Sequence, residues 1–418
     1  MGYFVFFFYL FLLGWLLTRI PFVQKSGLSA RIVTALFVTK IIAGMFSGWM
    51  LRNDMNSDTW IYHKDALVEY HLLFNNPSEY FTNLFYTGYQ YGYDGILQFH
   101  NSYWNDLKTN LMVKFVSLLH IFSFGHYYVN VILYNFLVFF GHIALFRIFG
   151  NVFKNSSKLL IVTCFLLPSL LLFSSTLHKE GLIFSAISIT SYCFYKLINF
   201  KGFATRKILM VVLLLLLIFL FRSYIVIVLM PALFAWFISY RKKYSTEIVF
   251  LLVFIVSVFF FFITPYFIPS VNLPQLVVQK QMDFLSLEKA NSFIGINPLL
   301  PDFKSFLINT PQALNHALLR PYPGDYSLSF PLAPFIAELM LYQLLFMLFL
   351  FFRVKNATDK PFIFFCTTFS LVVLLIIGYT VPILWAIVRY RSIYFPFFLT
   401  PIICSIDYQK IRKFIQMK

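Results

Sequence analysis

Acidic side chains are scarce in this chain: 16 Asp and Glu stand against 33 Lys and Arg, and all charged residues together make only 12% of 418 positions. A soluble domain carries roughly 25% charged residues, because its surface must be wetted. With 60% hydrophobic residues and a mean hydropathy of +0.77, the shortage excludes an ordinary water-soluble fold. Cysteine is scarce too. Cys164, Cys193, Cys366 and Cys404 all lie inside apolar runs, which excludes a disulfide framework and leaves them as small packing or lipid-facing residues. No HExxH pair, GxSxG turn or P-loop occurs, and no internal repeat or low-complexity tail. No basic residue precedes the first apolar segment, Gly2 to Leu17, whereas Arg19 and Lys25 follow it. It therefore reads as a retained helix with its N-terminus outside, not as a secretory signal.

What is present is apolar length. A transmembrane helix needs about 20 mostly apolar residues. Eleven candidate spans fall near 2–17, 32–50, 126–146, 159–175, 181–198, 208–221, 224–240, 247–266, 331–352, 361–380 and 392–406. Segments 18–31, 147–158, 196–207, 241–247, 353–360 and 407–418 hold 20 of the 33 basic residues, so every second loop is basic. The positive-inside rule puts that side in the cytoplasm and the C-terminus with it. The alternation requires that 111–124 not cross, and its mixed pattern suits an amphipathic helix on the outer surface. The net charge of +17 is dispersed in these short clusters; without a continuous basic stripe it does not indicate nucleic acid. The expected architecture is an all-α integral membrane protein, one polytopic domain over 1–418 with about 11 transmembrane helices. Two long outer-face loops, 51–125 and 267–330, bear amphipathic helices, and Val277 to Phe293 could form a lid.

Twelve of the 16 acids fall on the outer side. In the first outer loop Asp58, Tyr62 and Asp65 share one helical face beside His63; Asp58 suits a general base near a helix start, or simply a cap. Farther on, Tyr86 to Gly95 is dense in Tyr and Gly, as a sugar-stacking loop or an interfacial belt would be. The tight turn Ser174 to Gly181 presents His178, Lys179 and Glu180. Lys179 could hold a phosphate and Glu180 orient it or take part in a divalent metal site, or the two could be a surface pair. Arg222, Arg320, Arg389 and Arg391 mark outer helix ends. Any one could snorkel to headgroups, but four on the acid-rich side suggest an anionic ligand. Glu338 is the one acid inside a candidate span.

These motifs resemble the polytopic bacterial membrane glycosyltransferases of the GT-C type from surface-polysaccharide biosynthesis. The likeness rests on Asp58-Thr59-Trp60-Ile61-Tyr62-His63, Pro168-Ser169 through His178-Lys179-Glu180, Leu319-Arg320-Pro321-Tyr322-Pro323 and Arg389-Tyr390-Arg391. It implies an inner-membrane transferase that moves a sugar from a polyprenyl-phosphate donor to a glycan or lipid acceptor at the outer leaflet. Asp58 would be the base, and Lys179, Arg222, Arg320, Arg389 and Arg391 phosphate ligands. The family places its large loop after the first helix, whereas here it follows the second. The rival enzyme reading is an O-antigen or exopolysaccharide polymerase or ligase using undecaprenyl-diphosphate-linked repeats. A transporter or lipid flippase, which would need polar groups at mid-membrane, fits less well.

Overall fold

A computed structural model describes residues 2–54, 57–86, 103–199, 205–241, 244–268, 272–287, 291–328, 332–354 and 359–416. The Tyr/Gly-rich segment from 87 onward, and part of the expected lid helix, lie outside them. The described residues form helices and no strand beyond two isolated bridges, Phe293 with Ile383 and Arg353 with Ile406. In chain order the principal helices begin with α1 (Gly2–Arg19), α2 (Ala30–Met50), α3 (Asp58–Asn75), α4 (Tyr103–Ser123) and α5 (Tyr127–Val152). A bent pair follows, α6 (Ser157–Leu166) and α7 (Pro168–Ser175), then α8 (Lys179–Ile198) and α9 (Thr205–Phe221). The remainder comprises α10 (Ser223–Tyr240), α11 (Thr246–Phe267), α12 (Leu273–Ser286), α13 (Phe303–Leu314), α14 (Ala333–Phe351) and α15 (Lys360–Thr380). The chain closes with α16 (Leu384–Ser392), α17 (Phe395–Cys404) and α18 (Tyr408–Gln416).

Among the described residues eight helices are long and apolar enough to cross a bilayer: α1, α2, α5, α8, α10, α11, α14 and α15; the bent pair makes a ninth if it is one span. The chain is therefore a multi-pass membrane protein. Of the eleven expected spans, two more coincide with shorter helices. The 17 residues of α9 rise about 26 Å and the 10 of α17 about 15 Å, less than the roughly 30 Å hydrocarbon core. On α11, Leu251, Leu252, Ile255, Phe259 and Phe260 are all more than half exposed, an apolar stripe of the kind that faces lipid. The expected amphipathic segment is α4, which packs on α3 and buries Met112, Val116, Leu119 and His120.

Helix starts follow the local sequence. Ser29, Ser245, Asn272, Asp302 and Asp359 each accept a hydrogen bond from the backbone N–H three residues on, satisfying a donor that the first turn leaves open. Breaks follow proline. Between α6 and α7 the chain bends by 47° at Leu167–Pro168, after a π-helical turn over Val162–Leu166. The first turn of α7 finds its acceptor on α14: both carboxylate oxygens of Glu338 receive the Ser169 N–H, at 3.1 and 3.2 Å, and Oε1 also receives the Ser169 hydroxyl at 2.9 Å. The Tyr342 hydroxyl donates to the same carboxylate.

The chain divides into two compact units, one of Met1–Arg147, Leu170–Leu197 and Lys201–Phe221, the other of Ile148–Ser169, Ile198–Phe200 and Arg222–Lys418. In unit 1 the core gathers around Tyr127, Val131, Tyr134, Val138 and Leu177. Gly44 brings α2 against the backbone of Ser175, where an added Cβ would stand 2.5 Å from its carbonyl oxygen. In unit 2, Phe362, Phe365 and Phe369 stack along α15, with Trp236 lying 4.7 Å from the Phe365 ring. Close helix packing there depends on Gly378, whose missing side chain makes room for the Ala313 carbonyl of α13.

That contact sets a prediction. Gly378→Val forces a side chain into backbone that cannot move alone, and overpacking costs about 1–3 kcal/mol or more. Its thermal unfolding midpoint in detergent should fall clearly below that of Gly150→Ala, which meets nothing within 4 Å. Equal midpoints for the two variants would refute the packing argument.

Candidate functional site

Each unit holds its own polar group. In unit 1, Ser57 occupies the N-cap position of α3 without a side-chain capping bond, and Asp58 is the first helical residue, partly buried where the helix dipole favours a carboxylate. The expected face of α3 divides in the structure. Tyr62 is buried, whereas Asp65 is exposed, its carboxyl raised above the usual range by partial burial and by Glu69 one turn on. Lys179, at the start of α8, holds its ammonium 5.2 Å from the centre of the Tyr62 ring, a cation–π contact that joins two of the expected site residues. Neighbouring Glu180 and His178 are buried, and the His178 carbonyl accepts a 2.5 Å hydrogen bond from Tyr134.

His63 takes a structural position behind this face. Its ring meets Trp60 at 5.5 Å, Tyr127 at 5.3 Å and His120 of α4 at 5.0 Å. Trp60 in turn stacks on Tyr127 at 4.1 Å and donates its indole N–H to the Gly48 carbonyl at 2.9 Å. Burial first, then the nearby His120, His126 and Lys64, pull the His63 imidazole down to about 4. Burial likewise pulls His120 to about 4, with His71 adding to the effect and the His63 backbone opposing it. Both rings are thus neutral at physiological pH. Among the described residues no group of three or more His, Cys, Asp or Glu side chains could hold a metal, around Glu180 or elsewhere.

In unit 2 two of the four arginines singled out from sequence share one ring, and a third reaches the backbone of the fourth. Arg222 lies 4.3 Å from the centre of the Tyr390 ring, and Arg389 lies 5.1 Å from the same ring. Arg222 also donates to the Tyr224 hydroxyl at 3.3 Å, and Arg389 to the Tyr390 hydroxyl at 3.4 Å. The next residue, Arg391, is buried; its Nη1 donates to the carbonyls of Ala317, at 3.1 Å, and of Arg320. Arg320 itself faces Asp325 at 3.4 Å, while the Asp325 carboxylate accepts the Tyr322 N–H at 2.8 Å. From α12, Phe284 packs edge-on to Tyr390 at 6.5 Å and carries Lys280 at 5.2 Å from its own ring. A tyrosine ring flanked by two guanidiniums is suited to an anion: guanidinium forks match phosphate oxygens, and the aromatic face keeps them ordered.

Two functional candidates escaped the sequence reading. Tyr390 was passed over, although it is the ring that Arg222 and Arg389 share. Glu338, noted in the sequence as the one acid inside a candidate span, has a structural task as the acceptor for the broken helix. Lys40, wholly buried within α2, donates to the hydroxyls of Ser174 and Ser175 at 2.8 and 2.9 Å. The signal for Lys40 was available: it is the single charged residue between Arg31 and Arg52, inside a candidate span, where a charge demands a partner.

No known protein family, no curated protein and no solved structure matches this chain.

The histidine pair predicts an acid-sensitive fold. An unfolded histidine titrates near 6.5, whereas these two titrate near 4 when folded. Above pH 6.5 both states are neutral; between 6.5 and 4 the unfolded chain binds protons that the folded chain refuses, so stability falls as pH falls. The unfolding midpoint should be lower at pH 5 than at pH 7.5, and the double variant His63→Asn, His120→Asn should narrow that gap. An unchanged gap would show that the pair does not govern the acid limb.

Proposed function

We propose that this protein is a GT-C-like membrane glycosyltransferase, moving a sugar from a polyprenyl-phosphate donor to a glycan or lipid acceptor at the outer face of the bacterial inner membrane. The observation that carries the reading is the pairing of Arg222 and Arg389 on the Tyr390 ring, in the same unit as Arg391, whose guanidinium holds the carbonyls of Ala317 and Arg320. Two guanidiniums on one aromatic ring in a membrane protein suit an anion, and a lipid-linked phosphate is such a ligand, with Arg320 and Arg391 as further candidate contacts. Lys179 is a further candidate phosphate ligand, with Tyr62, His63, Asp65, His178 and Glu180 as the expected lining of the substrate region.

In this reading the acceptor hydroxyl gives its proton to Asp58 as its oxygen attacks the anomeric carbon. The bond from that carbon to the phosphate oxygen breaks, and polyprenyl phosphate leaves with the electron pair. The N-terminus faces outward and the C-terminus the cytoplasm, in keeping with the basic loops.

Mass spectrometry of the surface glycan from a strain lacking the protein tests the reaction class. Repeats missing one sugar or branch are expected; complete single repeats that fail to lengthen would assign the protein as a polymerase instead. In the complemented strain Asp58→Asn should cut product about 10²- to 10⁴-fold, the usual worth of a general base, while the protein still reaches the membrane. Full activity in that variant would end the transferase assignment. With purified protein, Arg389→Ala should raise KM for the lipid-linked donor about 10- to 100-fold, as loss of a charge-assisted contact implies, with a smaller change in kcat. An unchanged KM would remove Arg389 from the phosphate site.

A further inference from the structure

The interior of unit 1 contains a polar chain that the transferase reading does not use. Lys40 lies near the middle of the 21-residue α2 and His142 inside the 26-residue α5, both wholly buried. Ser174 and Ser175, at the end of α7, are equally buried. Lys40 Nζ stands 2.8 Å from Ser174 Oγ and 2.9 Å from Ser175 Oγ, and Ser174 Oγ stands 3.3 Å from His142 Nε2. Asn135 fixes the backbone at this point, its amide N–H donating to the Ser175 carbonyl at 2.9 Å.

The order of these groups matters. A lysine ammonium has donors only, so each serine oxygen must accept from it. Ser174 is then left with one proton to give, and the nitrogen within its reach is His142 Nε2. Donor, hydroxyl and acceptor lie in series, and two nitrogen bases terminate the series. A charge placed at this depth in a membrane protein is expensive, and such residues mark ion or proton paths by default.

We propose that Lys40, Ser174 and His142 form an intramembrane proton-binding relay, in which one proton is exchanged between the lysine amine and the imidazole through the serine hydroxyl. In the transfer, an N–H bond of the Lys40 ammonium breaks as Ser174 Oγ takes that proton. The original Ser174 O–H bond breaks as His142 Nε2 takes the other. Lys40 is left as an amine and His142 as an imidazolium, so the net charge of the group does not change. His142 is the titratable group that α5 turns toward Lys40, and the end of α7 contributes the two hydroxyls. Farther along, Tyr134 and the buried Glu180 are the nearby titratable groups among the described residues, Tyr134 holding the His178 carbonyl at 2.5 Å. Ser174 and Ser175 close α7 just before the turn that leads to Lys179 and Glu180. The inference stands whether or not the protein is a transferase.

The test is nitrogen NMR of the full chain in lipid nanodiscs, labelled at lysine and histidine side chains and titrated from pH 5 to 9. Lys40→Arg and His142→Gln identify the two signals. In the native protein the Lys40 and His142 signals are expected to move together through one transition. Ser174→Ala, a small change in a buried site, should split this into separate transitions differing by at least one pH unit. Lys40→Arg keeps the charge and the serine contacts but holds its proton, so His142 should then titrate as a lone imidazole. A native Lys40 signal that stays constant while His142 titrates would overturn the relay. The same coupled transition in Ser174→Ala would also overturn it and leave Lys40 as a strut between helices.

Discussion

Backbone N–H and C=O groups in hydrocarbon have no water to turn to, and each one left open costs several kcal/mol. Helices meet this demand along their length and fail to meet it at their ends. The break at Leu167–Pro168 is where the demand is sharpest, because it opens the first turn of α7 inside an apolar stretch. A carboxylate on another helix answers it: Glu338 receives both the N–H and the hydroxyl of Ser169 and is held in turn by Tyr342. The acid that looks most anomalous in the apolar sequence is thereby an element of helix construction. It also lies near Arg391, which is buried in the same unit.

The same accounting explains where the remaining buried polar groups sit. Arg391 spends donors of one guanidinium nitrogen on two backbone carbonyls, those of Ala317 and Arg320, at a place where the helical pattern has already changed. The π-turn over Asn315–Leu319 ends α13 and leaves carbonyls that the α-helical ladder does not fill. Arg222 and Arg389 use the other property of the group, its affinity for an aromatic face, and share one tyrosine ring. Lys40 is fitted to two serine hydroxyls at the end of α7. For Arg391 an irregular stretch of backbone and a basic side chain occur together, because the guanidinium supplies donors that the carbonyls there lack.

The sequence was most legible where a one-dimensional pattern has a one-dimensional cause. Apolar length located the spans, since crossing about 30 Å of hydrocarbon takes a fixed number of helical residues. All eleven expected segments coincide with helices, although α9 and α17 are shorter than a full crossing. The amphipathic character of 111–124 likewise matched α4 lying on α3. Spacing along α3 was less informative. Asp58, Tyr62 and Asp65 share a nominal face, yet Tyr62 is buried and Asp65 exposed, because what covers that face arrives from α8, more than a hundred residues away.

The sequence by itself determined that the chain is helical, crosses a membrane several times and carries its basic residues in alternating loops, because composition and segment length are enough to choose the solvent. It also singled out Arg222, Arg320, Arg389 and Arg391. Only the tertiary structure decided which groups meet: that Arg222 and Arg389 share Tyr390, that Glu338 completes a broken helix, and that Lys40 faces Ser174 and His142. Those meetings join residues separated by up to 169 positions. No local periodicity encodes them, since they are fixed by how closely small residues such as Gly44 and Gly378 let helices approach.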